Sequence, residues 1–113
     1  MMTIAIRSDL PVKYYLNLHN DPRVFGSNAY LFEIIQYLLR VIDSKNKELS
    51  YDNFKFSSKS LKYIFGDKLN DETFKGNLVK TLKEMISEGL LENQGDFIKI
   101  TKLGISKFYT VND

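Results

Sequence analysis

Thr73, Gly76, Lys80, Lys83 and Ser87 recur at spacings of three and four, with Asn77 beside them. At about 100° per residue this collects them on one face of a helix. The opposite face carries Phe74, Leu78, Leu82 and Met85, with Ile86 at its edge, an apolar stripe that belongs against a core. The polar face offers ammonium, amide and hydroxyl groups, which supply charge for an anion together with hydrogen-bond donors and acceptors. Gly76 lies among them, where a partner can approach the backbone closely. Lys59, Lys62, Lys68, Lys99 and Lys102 extend the supply of positive charge. The plain alternative is that these groups form the solvated side of an amphipathic helix and an ordinary lysine-bearing surface.

Catalytic chemistry finds little to work with. His19 is the single histidine, and no serine and aspartate around it form a hydrolytic motif. With no cysteine there is no disulfide, no thiolate-held zinc and no thiol nucleophile. There is no glycine-rich phosphate loop and no His-Glu-x-x-His pattern. Glu84 and Glu88 share a helix face but have no imidazole or thiol nearby, so they belong to the solvated surface rather than to a metal. The expectation is a protein that is not an enzyme and uses neither cofactor nor metal.

The 113 residues fit one domain, which at this size buries roughly 60–70% of the surface its unfolded chain exposes. The 16 basic and 14 acidic side chains leave a formal charge of +2. That balance leaves nucleic-acid binding open without arguing for it. Thirteen of the basic residues are lysine and three arginine, so the chain has few of the forks that suit guanine edges. The longest apolar-rich stretch, 29–42, contains Glu33, Gln36 and Arg40, whereas a membrane span needs about 20 mostly apolar residues. No secretory signal is visible at the N-terminus. These features lead to the expectation of a cytoplasmic protein that does not enter a membrane.

Several elements must hold these residues in place. Residues 1–26 read as a leader packed on or flanking the domain, with a short strand at 3–7, a helical turn at 14–18 and a turn at Asn20-Asp21-Pro22. The domain proper spans 27–113. Its first helix runs over about 28–43, with Leu31, Ile34, Ile35, Leu38, Val41 and Ile42 on one stripe. Residues 49–56 are short and mixed and suit a brief strand. A second helix starts at Ser57 or Ser58, carries Leu61, Ile64 and Phe65 and stops at Gly66. After a turn over 66–70 the third helix runs from about 71 to 88, with Asp71 and Glu72 at its positive end and Gly89 as its stop. Residues 90–92 and 97–100 make a hairpin around a tight loop at 93–96. Thr101 then caps a last helix, 102 to about 109, that buries Leu103, Ile105 and Phe108. Of the 15 Tyr and Phe side chains, Tyr14, Tyr15, Tyr51, Phe54 and Phe56 fall outside these stripes. Stacking on bases is open to them, although core packing or cover for the leader is the better reading.

Helix, extended segment, helix, turn, helix, hairpin, helix is an order that resembles the winged helix-turn-helix superfamily, a mainly α fold with a small β-hairpin wing. The run from Leu78 to Glu92, with its Gly89-Leu90-Leu91 exit, is similar to the end of the recognition helix in those proteins. Ile100-Thr101-Lys102-Leu103-Gly104 resembles the Leu-Thr-x-x-Gly that follows the wing in many bacterial regulators. The likeness covers about residues 27–110. A fainter similarity, through Leu10-Pro11 and Asp21-Pro22, is to the N-terminal region of plasmid and phage replication initiators. Two features depart from the pattern: a wing loop of about four residues that holds Asp96 and no arginine, and a loose turn at 66–70.

The resemblance implies duplex DNA binding through the helix at about 71–88, in transcriptional regulation or in plasmid or phage replication. On that basis Asn77 pairs with an adenine edge, and Lys80 reaches guanine acceptors or a phosphate. Thr73 touches a phosphate or a thymine methyl, Gly76 permits close approach, and Lys83 lies on the same face. Lys59 and Lys62 on the second helix and Lys99 beside the wing neutralise phosphates. A homodimer would place two such helices roughly 34 Å apart. The alternative is a winged helix used as a protein-interaction module without strong DNA binding, which the low net charge, the few arginines and the short wing favour.

Overall fold

The computed structural model describes residues 1–10 and 28–113. The expected turns at 14–18 and 20–22, His19, and most of the segment likened to replication initiators lie outside the described residues. The remainder is a small α/β domain of four α-helices and two small antiparallel sheets, among the described residues. Strand β1 is Thr3–Ile6 and helix α1 is Asn28–Ser44. A 3-10 turn, Tyr51–Asn53, precedes β2, Lys55–Phe56, and helix α2, Ser58–Phe65. A second 3-10 turn, Gly66–Asn70, leads into helix α3, Glu72–Ser87. Strands β3, Leu91–Asn93, and β4, Ile98–Ile100, are followed by helix α4, Lys102–Ser106, and strand β5, Tyr109–Asn112.

Helix α1 is the centre of the core. Its predicted stripe is buried at Leu31, Ile34, Ile35, Leu38 and Ile42, while Val41 at the edge is half-buried. Ala29, Tyr30 and Phe32 are buried as well, so the first turns of α1 are covered on more than one side. Tyr30 meets Phe65 of α2 and Phe74 of α3 edge-on at 6.0 and 5.6 Å, and those two rings meet at 5.5 Å. Such edge-to-face triples each add about 0.5–1.5 kcal/mol per pair beyond area burial, and they fix the angle between the helices that carry them. Phe54 and Phe56, which lie outside the helical stripes, are fully buried and join this core.

Local chemistry sets the boundaries of α2 and α3. Ser57 and Ser60 form a reciprocal capping box at the start of α2. Gly66 ends it with a positive φ of 53°, and 66–70 winds into a 3-10 turn rather than a loose connection. The Asp71 carboxylate accepts hydrogen bonds from the Thr73 and Phe74 amides at 2.9 and 3.3 Å, capping α3. At the other end Gly89 takes a φ of 78°, and Leu90 N–H returns to the Met85 carbonyl at 2.9 Å.

Strands β2, β4 and β3 pair antiparallel in that spatial order, with Lys55 opposite Lys99 and Glu92 also opposite Lys99. Alternation therefore puts Lys55, Lys99 and Glu92 on one face and the core residues Phe56, Ile100 and Leu91 on the other. Two expectations for the C-terminal segment fail. The last helix ends at Ser106, and 109–112 is a strand that pairs with β1, Thr3 opposite Asn112 and Ile6 opposite Tyr109. Leu103 is 56% exposed, whereas Ile105 and Phe108 are buried as expected. A five-residue helix has one narrow inner face, filled by Gly104 and Ile105. Tyr109, Thr110 and Val111 are strand-favouring types that find a backbone partner in β1.

Candidate functional site

Helix α3 turns Phe74, Leu78, Thr81, Leu82 and Met85 inward. Thr73, Gly76, Asn77, Lys80, Lys83 and Ser87 are exposed, as the periodicity requires. Around Gly76 the surface dips. A depression of roughly 600 Å³ is lined by Glu72, Lys75, Gly76, Val79, Lys80, Lys83 and Glu84. An open groove of roughly 640 Å³ lies between α2 and α3, with Leu61, Leu69, Leu78 and Leu82 among its lining and Lys62, Lys75 and Asp67 beside them. The two hollows share Lys75 and Val79, so they form one track across the outer side of α2 and α3.

The lysines of α2 and α3 differ from those around the hairpin. Lys59, Lys62, Lys75, Lys80 and Lys83 are exposed and make no ion pair among the described residues. On the hairpin side the cations are engaged. Lys99 donates to the Asp52 carboxylate at 3.0 Å, Lys55 lies 5.2 Å from the Phe97 ring centre and Lys102 lies 4.9 Å from that of Tyr51. Partial burial pushes the Tyr51 hydroxyl above its usual range, and the charge of Asp113 adds to the shift. Lys68, in the turn, lies 6.0 Å from the Phe74 ring centre.

Of the sequence-derived candidates, the structure brings Gly76, Lys80 and Lys83 to one hollow and Lys62 to the adjoining groove. Thr73 and Asn77 are exposed on α3 without lining either, and Lys59 is exposed on α2 outside both. Lys99 stays on the far face of the three-stranded sheet, held by Asp52. Lys75 and Val79 escaped the sequence reading. At about 100° per residue they fall on the flank between the apolar stripe and the polar face, where helix periodicity alone does not separate a core edge from a groove wall. Val79, an apolar residue 42% exposed, is the signal that α3 carries a third surface.

Among the described residues no three His, Asp or Glu side chains converge as a metal site, and no helix is long and apolar enough to cross a membrane. No family model, curated protein or solved structure matches the chain.

Proposed function

We propose that this chain is a winged helix-turn-helix protein that binds duplex DNA through α3, in transcriptional control or in replication of a plasmid, phage or chromosomal locus. The observation that carries this reading is the track of unpaired cations, Lys62, Lys75, Lys80 and Lys83, across α2 and α3. A surface lysine is ordinary, but four around one continuous hollow, none of them held in an ion pair although Glu72, Glu84 and Asp67 also line it, suit a polyanion. The order of elements and the β2-β4-β3 sheet support the fold half of the proposal: α2 and α3 are the paired helices and the β3–β4 hairpin a short wing. In this arrangement the N-terminal turns of α3 enter the major groove, where Thr73 and Asn77 meet base edges. The wing adds little, because its one lysine, Lys99, is held by Asp52 and its tip carries Asp96.

Fluorescence anisotropy with a library of labelled duplexes at two salt concentrations tests this. Submicromolar binding that weakens steeply with salt and disappears in Lys80→Glu is the expected result. Absence of binding even at low salt rejects it in favour of a second reading, a protein-interaction module, for which the exposed Val79 and the apolar wall of the α2–α3 groove are the supporting observations.

A further inference from the structure

Gly76 is in the interior of a 16-residue helix, where a glycine costs roughly 1 kcal/mol relative to alanine. Glycine is usually tolerated there because the backbone needs a positive φ or because a neighbour leaves no room for a Cβ. Neither applies, since Gly76 has no positive φ and a Cβ built on it meets nothing within 4 Å. The fold has no use for the missing side chain. What the absence leaves is bare backbone on the wall of the hollow, at the middle of the exposed face of α3.

The residues around the hollow indicate what fills it. Lys75, Lys80 and Lys83 supply three positive charges, while Thr73 and Asn77, whose groups can read bases, lie outside. Lysine is a point charge suited to phosphate, and no arginine, asparagine or glutamine, the side chains that grip a guanine or adenine edge through a planar fork, lines the hollow. Glu72 and Glu84 stand at its two ends along the helix axis. A polyanion running along α3 would meet both acids, whereas one crossing the helix at Gly76 comes in from the α2–α3 groove past Lys62 and Lys75 and over Val79. We infer that one sugar–phosphate strand of the bound duplex crosses α3 at Gly76, its phosphates held by Lys62, Lys75, Lys80 and Lys83. The bare backbone lets the strand sit closer than any side chain would allow. This rests on the duplex reading and adds to it the path of the strand and the identity of two contacts, Lys75 and Gly76.

The test is an anisotropy titration of wild type, Gly76→Ala and Lys75→Gln on several unrelated duplexes near 0.1 M salt. Lys47→Gln serves as the control, since Lys47 is an exposed lysine that lines neither hollow. Gly76→Ala is expected to raise the thermal midpoint by a few degrees while weakening binding about fivefold or more, the equivalent of one displaced phosphate. Lys75→Gln is expected to weaken binding by a similar factor and to lower the salt slope by about one unit, with Lys47→Gln unchanged. The losses should be the same on every duplex. Wild-type binding that Gly76→Ala leaves intact overturns the strand path and spares the duplex reading. A loss that varies tenfold between sequences assigns the hollow to a base edge and overturns the path as well. Failure of the wild type to bind any duplex removes both.

Discussion

A Cβ at Gly104 would collide with the Leu90 carbonyl and press against Ile100, while one at Gly76 would reach open solvent. The two helical glycines therefore respond in opposite directions to the same substitution. Gly104→Ala is expected to destabilise the fold by about 1–3 kcal/mol as an overpacking change. Gly76→Ala should stabilise it by roughly 0.5–1 kcal/mol. Urea unfolding followed by circular dichroism reads both. The Gly104 contact also explains the physical content of the Thr-x-x-Gly phrase. The Thr101 hydroxyl accepts from Gly104 N–H at 3.1 Å and lies 2.7 Å and 3.0 Å from the Gly89 and Leu90 carbonyls, so α4 is tied to the exit of α3 at one point. At the entrance of α3, Asp71→Ala is expected to cost about 1 kcal/mol through loss of its two amide contacts, and Asp71→Asn to restore most of it. An unfolding midpoint for Asp71→Ala equal to wild type would show that the cap is not what anchors the helix.

At the scale of elements, α1, α2 and α3 are legible in the chain because everything that defines them is local. Their stripes, the Ser57 and Asp71 caps and the Gly66 and Gly89 stops all lie within a turn of the residues they act on. Strand β5 is not legible, because what makes 109–112 extended is a partner near the other end of the chain, and no local pattern records that pairing. Phe54 illustrates the same limit. It looks like a loop aromatic until β2 and β4 pair beside it, when Ile100 N–H bonds its carbonyl at 2.7 Å and its ring is fully enclosed. Phe54→Ala is accordingly expected to cost about 3–5 kcal/mol, enough to threaten a domain of this size, and its chemical denaturation curve shows it directly. In the candidate site the polar face of α3 follows from periodicity. The engagement of Lys99 by Asp52 and the groove wall at Lys75 and Val79 do not, since both depend on how separate elements meet.

For the whole molecule, 16 basic against 14 acidic groups suggest indifference to charge, but their arrangement does not. Cations beside the hairpin are taken up by Asp52, Phe97 and Tyr51, whereas those on the outer side of α2 and α3 cluster without an ion pair among the described residues. If four lysines contact phosphate, the logarithm of the duplex binding constant should fall with the logarithm of salt with a slope of roughly −3 to −4. A slope near zero would detach those lysines from binding. The pairing of β1 with β5 has a separate consequence, in the order in which the molecule comes apart. With α1 and β5 in place the four residue pairs close a loop of about 20 residues, an entropic cost on the order of 3 kcal/mol that a two-stranded ribbon is poorly equipped to offset alone. Of its inner residues Ile4 and Val111 are half-buried against the core, whereas Tyr109 of β5 is part of it, stacked 6.1 Å from Phe32 of α1. Strand β1, rather than the whole ribbon, should thus detach as a separate unit below the free energy of global unfolding. In native-state hydrogen exchange its amides would lose protection early, while those of Ile34 and Ile35 in α1 exchange only when the entire chain unfolds.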